Sequence, residues 1–76
     1  MTTDARSWLA ELAGDLGVDP PTAAEMDDLL ALASVAAHAS ERVAAPVACW
    51  LAARSGQRPE QALSVAQGLA ERHGEA

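Results

Sequence analysis

The chain has 76 residues, half of them hydrophobic, with two tryptophans, one cysteine and a formal net charge of −6. One small domain fits that length, and a net negative chain with five arginines and no lysine is a poor binder of nucleic-acid phosphates or anionic lipid surfaces. One cysteine excludes an internal disulfide, and no apolar run is long enough for a bilayer.

The start, Met1-Thr2-Thr3-Asp4, is not basic and leads into no signal-peptide core, so the expected location is cytoplasmic. Alanine supplies 19 positions, leucine 9 and valine 5. A chain this short buries only about 60% of its unfolded surface, and the few large apolar residues predict a thin core. That predicts bracing by a protein partner, a second copy or a neighbouring domain. The apolar residues are strongly periodic, which argues for folding rather than disorder.

A first helix is expected over residues 4–16. Thr3 or Asp4 can cap it through a side-chain oxygen. Ala5, Trp8, Leu9, Leu12, Ala13 and Leu16 recur at i, i+3, i+4 spacing and predict the inward face. Gly17 supplies the stop, with Val18 at the hydrophobic position of a Schellman motif. In the next connection either Asp19 caps with Pro20 at the first helical position, or Thr22 caps with Glu25 three residues on. The second helix, expected over 20–40, is the longest. Met26, Leu29, Leu30, Ala33, Ala36 and Ala37 form its main stripe, and Leu32, Val35 and Ala39 widen it toward two neighbours.

A second break is expected from Glu41 to Ala45, because the residue before a proline is steered away from helical geometry. The third helix is expected over 46–55, with Pro46 at its first position. Val47 to Ala53 leaves no polar face, and a helix apolar all round is normally buried. The expectation is a central third helix anchored by Trp50 and ended by Gly56. The fourth helix is expected over 59–73, with Ala62, Leu63, Val65, Ala66, Leu69 and Ala70 inward. Gly68 in its middle predicts the close approach of another helix. Four helices with short connections and no strand signal predict a small compact all-α four-helix bundle.

Residues able to do chemistry are sparse. Cys49 reads as an inert core thiol, because a reactive cysteine needs an electropositive, accessible site. His38 and His73, 35 positions apart, make no zinc spacing with one cysteine; neither metal nor cofactor is expected. Asp27 and Asp28 are adjacent and point about 100° apart on a helix, so they are read as a solvated acidic face and not as an acid–base pair. No phosphate loop, Ser-His-Asp set or HExxH motif occurs, and no catalytic residue is expected. The serines follow Arg6, Ala33, Ala39, Arg54 and Leu63, never the aspartate that an acyl carrier protein needs. His38 is expected to contact Glu41 at the negative end of the second helix. Arg42 has two readings. It braces the last carbonyls of the second helix, or it joins the third helix's N-terminus in holding a phosphate or carboxylate.

The run His38-Ala39-Ser40-Glu41-Arg42-Val43-Ala44-Ala45-Pro46-Val47, with Trp8-Leu9 near the start, resembles an actinobacterial family of domains of unknown function. Members carry the same Arg-x-Ala-Ala-Pro run ahead of an apolar helix. They commonly have proline where this chain has Val43, and Phe-Leu where it has Trp50-Leu51. Such domains occur alone or at the C-terminus of molybdenum cofactor guanylyltransferase-like proteins. The resemblance implies a non-enzymatic accessory role in molybdopterin guanine dinucleotide synthesis, with such a guanylyltransferase as partner. His38, Glu41, Arg42, Ala45 and Pro46 are the expected recognition edge. The alternatives are a phosphate-ligand-binding module using Arg42 and the third helix's N-terminus, and a self-associating structural domain.

Overall fold

A computed structural model describes residues 4–74, and the expectation that Thr3 caps the first helix lies outside them. The chain forms a small all-α bundle of four helices, with no strand among the described residues. The helices are α1 (Ala5–Leu16), α2 (Ala23–Ala39), α3 (Ala44–Ser55) and α4 (Pro59–Gly74).

The ends follow from local chemistry. The Asp4 carboxylate accepts from the Ser7 N–H at 2.8 Å and caps α1. Gly17 closes it at φ 76°, a conformation that strains residues with a Cβ. The Val18 N–H then reaches the Ala13 carbonyl and the Gly17 N–H reaches Gly14, which is the Schellman pattern. At α2 the choice of caps falls to Thr22. Its hydroxyl accepts from the Glu25 N–H, and the Glu25 carboxylate accepts from the Thr22 N–H. This box starts α2 three residues later than expected and leaves Pro20 and Pro21 in the connection.

Pro46 does not begin α3. The helix starts two residues earlier, at Ala44, and Pro46 takes its third position. A proline fits there because the first-turn N–H groups have no intrahelical partner to lose. At the start of α4, Pro59 occupies the first position as expected, and the Gln61 side chain accepts from the Arg58 N–H.

The centre of the fold is α2, not α3. α3 and α4 each lie along α2 and meet each other much less. Leu32, only 3% exposed, packs with Ala52 of α3 and Ala62 of α4, and Cys49, Leu63 and Ala66 surround them. The burial axis of α2 is therefore turned toward the flank expected only to widen its stripe, and Leu30 stays 61% exposed. Trp50 is not a core anchor. It is 57% exposed, and Val47 and Leu51 are exposed beside it. The small side chain of Ala52 lets α3 approach α2, so the opposite side of α3 is left outside. Nor does Gly68 mark a close helix approach, since a Cβ there would meet nothing within 4 Å. Val65, expected inward, is also exposed.

α1 stands apart. No Cα of α1 comes within 8 Å of a Cα in another described helix. Only Ala13 of this helix is buried, while Trp8, Leu12 and Leu16 are exposed. The resulting shape is flattened, 45 × 29 × 18 Å. Its radius of gyration is 13.6 Å, against about 11.4 Å for a compact chain of this length. The chain exposes 5924 Å², against about 4,400 Å² for an average folded monomer of its mass.

Candidate functional site

The candidate edge lies at the corner where α2 ends and α3 begins. Ser40 turns the chain out of α2 after donating its N–H to the Ala36 carbonyl. The Glu41 and Arg42 carbonyls then accept from the Ala44 and Ala45 N–H groups, at 2.9 and 3.2 Å. The corner is thus a tight turn running directly into α3. It places His38, Glu41, Arg42 and Pro46 on the surface, with Ala45 half-buried against the bundle.

The side chains behave differently from the sequence expectation. His38 does not pair with Glu41. Its Nδ1 lies 2.8 Å from the Ser34 carbonyl oxygen, one turn back, and 3.2 Å from the Ser34 hydroxyl. In the tautomer protonated at Nδ1 the ring donates to that carbonyl, which turns Nε2 outward. Arg42 makes no ion pair or side-chain hydrogen bond among the described residues, so it does not brace the last carbonyls of α2. The start of α3 is a poor anion cradle. Two of its first N–H groups are spent on carbonyls, and Pro46 has none.

The structure adds residues that the sequence did not single out. At 100° per residue, Val43, Val47, Trp50 and Arg54 share the side of α3 opposite Ala52. All four are exposed. The Arg54 guanidinium carbon sits 5.0 Å from the Trp50 ring centroid, within cation–π range. This stripe begins inside the Glu41–Pro46 corner and continues it for almost three turns. The signal that could have found it is the i, i+4 spacing of Trp50 and Arg54. A charged head stacked on that ring requires that the ring itself reach water.

Among the described residues three clefts bear on the site. One of about 560 Å³ lies between the 19–22 and 57–59 connections, with Leu29, Cys49 and Ala52 among its walls. Cys49 is half-buried and its thiol points toward the Leu29 carbonyl at 3.9 Å, and no Lys or Arg lines this cleft among the described residues. Another, about 350 Å³, separates α1 from α2 and is walled by Leu9, Leu12, Leu16, Met26 and Leu30. The third, about 260 Å³, runs between α3 and α4. None of the five residues of the expected edge lines any of these. Among the described residues no group of three or more His, Cys, Asp or Glu is placed to hold a metal ion.

The family termed Domain of unknown function, DUF6457, matches residues 1–76. The chain belongs to this family. The match takes in all four helices, so the α2–α3 corner and the outward stripe of α3 are parts of a DUF6457 domain rather than of an appended segment. No curated protein and no solved structure matches this DUF6457 chain. No helix among the described residues is long and apolar enough to cross a membrane.

Proposed function

We propose that this domain is a non-enzymatic interaction module that binds a protein partner along the outward side of α3 and the α2–α3 corner. One observation carries the reading: Trp50, with Arg54 stacked on it, stands exposed in a stripe that Val43 and Val47 extend. Tryptophan and arginine are the side chains most enriched where binding energy concentrates. A folded chain leaves such a ring in water at a cost that a partner's surface removes. His38, Glu41 and Arg42 then form the polar rim, where charge sets orientation and association rate more than affinity.

The partner we infer is a molybdenum cofactor guanylyltransferase, from the resemblance of the His38–Val47 run to domains joined to such proteins. Phosphate binding at Arg42 draws less support, because the start of α3 offers few unpaired donors.

The test is calorimetric titration of the chain with a guanylyltransferase from the same organism. Trp50→Ala is expected to weaken binding about thirty-fold or more, the loss of a hot-spot residue. Circular dichroism is expected to stay unchanged, since the ring is mostly outside the core. Arg42→Ala is expected to reduce binding only several-fold. No binding by the unaltered chain refutes the partner; binding indifferent to Trp50→Ala refutes the face.

A further inference from the structure

The groove between α3 and α4 is a separate feature from the Trp50 stripe. Leu32, Ala52 and Ala62 form its floor, Leu51 stands on one wall, and Val65 and Leu69 stand on the other. The three wall residues are exposed, and no residue lining the groove carries a charge. We propose that this groove is the interface of a two-fold symmetric dimer of the chain.

Area is the first argument. The chain exposes 5924 Å², about 1,500 Å² more than an average folded monomer of its mass. The separation of α1 accounts for part of that surplus, and a standard interface buries roughly 800 Å² on each partner, so the remainder still leaves area for a dimer.

Charge is the second. A chain at −6 repels its own copy, and eight of its eleven acidic residues precede residue 44. α3 contains none. On α4 the acids are Glu60 and Glu71, which fall roughly 160–180° around the helix from Leu69. The α3–α4 side is therefore where two copies approach without setting carboxylates against each other. The α1–α2 cleft has Asp19 in its wall, and Asp15 and Asp27 lie on the two helices that form it.

Shape is the third. A floor in which Ala52 and Ala62 flank the buried Leu32, between taller Leu51 and Val65–Leu69 walls, suits a two-fold axis, because a wall of one copy can seat in the groove of the other. The docking surface for a different protein, on Val43, Val47 and Trp50, remains open in such a dimer.

Sedimentation equilibrium of the full chain, from low micromolar to millimolar concentration, tests this. A dimer is expected, tighter in high salt than in low because screening relieves the repulsion. Val65→Glu and Leu69→Glu are expected to weaken it at least tenfold with helix content retained. Leu16→Glu on α1 and Trp50→Ala are expected to leave it unchanged. A monomer at every concentration overturns the proposal. So does a dimer that Leu16→Glu disrupts as strongly as Val65→Glu, or one that salt weakens. Loss of guanylyltransferase binding in Trp50→Ala with dimerisation intact separates this interface from the partner face.

Discussion

α1 and α2 have similar sequences in outline, each an amphipathic helix with a side-chain cap and apolar residues at helical spacing, yet they end in different states. α2 is packed along two neighbours and buries Leu32 almost completely, whereas α1 keeps Leu12 and Leu16 in water and buries only Ala13. The difference lies in what faces the stripe. α3 and α4 present Ala52 and Ala62 to α2, and alanine lets helix backbones close up. α1 presents leucines toward Met26 and Leu30, and it hangs from a connection containing Pro20 and Pro21. Two consecutive prolines hold the chain extended, so α1 is set at a distance. An amphipathic stripe makes a helix able to pack; the connection and the size of the facing residues decide whether it does.

The largest effect expected from this contrast is at Leu32. Leu32→Ala removes the one large side chain buried where three helices meet, and is expected to cost about 2–5 kcal/mol. That is a large share of the stability of a small domain. Urea unfolding followed by circular dichroism measures it. The same change at Leu16, exposed on α1, is expected to leave the midpoint almost where it was. Equal losses would mean that α1 is coupled to the core as tightly as α2 is.

Loss of a cap comes next. Thr22→Ala removes the hydroxyl that accepts from the Glu25 N–H, at an expected cost of about 1 kcal/mol, and the global midpoint is expected to fall because α2 carries the core. Two glycines give a finer comparison. Gly14 and Gly68 both lie inside helices with open space where a Cβ would go. Each replacement by alanine favours its helix by about 0.5–1 kcal/mol. Gly68→Ala is expected to raise the unfolding midpoint. Gly14→Ala is expected to slow amide exchange in α1 with little change in the midpoint, because α1 opens without unfolding the rest.

The smallest effect is set by pH. The hydrogen bonds from the Ser7 N–H and hydroxyl hold the Asp4 carboxyl below its ordinary 3.8. A carboxyl lowered on folding supports the fold above its unfolded pKa, and that support is lost as pH falls through the lowered value. Acidification below 3.8 is therefore expected to fray the first turn of α1, read as faster exchange of the Ser7 amide. Asp4→Asn is expected to remove that pH response. A midpoint for the whole chain that tracked Asp4 would again contradict the separation of α1 from the core.

The surface around the candidate edge was only half legible. The Arg-x-Ala-Ala-Pro run marks the α2–α3 corner in the sequence, and the turn there exposes Arg42 and Pro46. The stripe that continues it was hidden. A helix apolar on every side has no polar face to say which side turns to water, so Val47 and Trp50 were expected in the core. His38 has an ambiguous partner in the sequence for a similar reason. Its spacing suits either Ser34, one turn back, or Glu41 beyond the helix end, and the intact last turn of α2 selects the Ser34 carbonyl.

The sequence alone carried the four helices, the Gly17 and Gly56 stops and the thinness of the core, and it narrowed the start of α2 to two caps. These depend on neighbours within four or five residues, where propensity, capping and φ restrictions act directly. Tertiary structure alone decided that α2 is the hub, that Trp50 faces water, that Gly68 has room beside it and that α1 stands off. Those outcomes depend on which small residues face one another across helices and on how far a two-proline connection carries the chain, and neither relation is contained in the periodicity of a single helix.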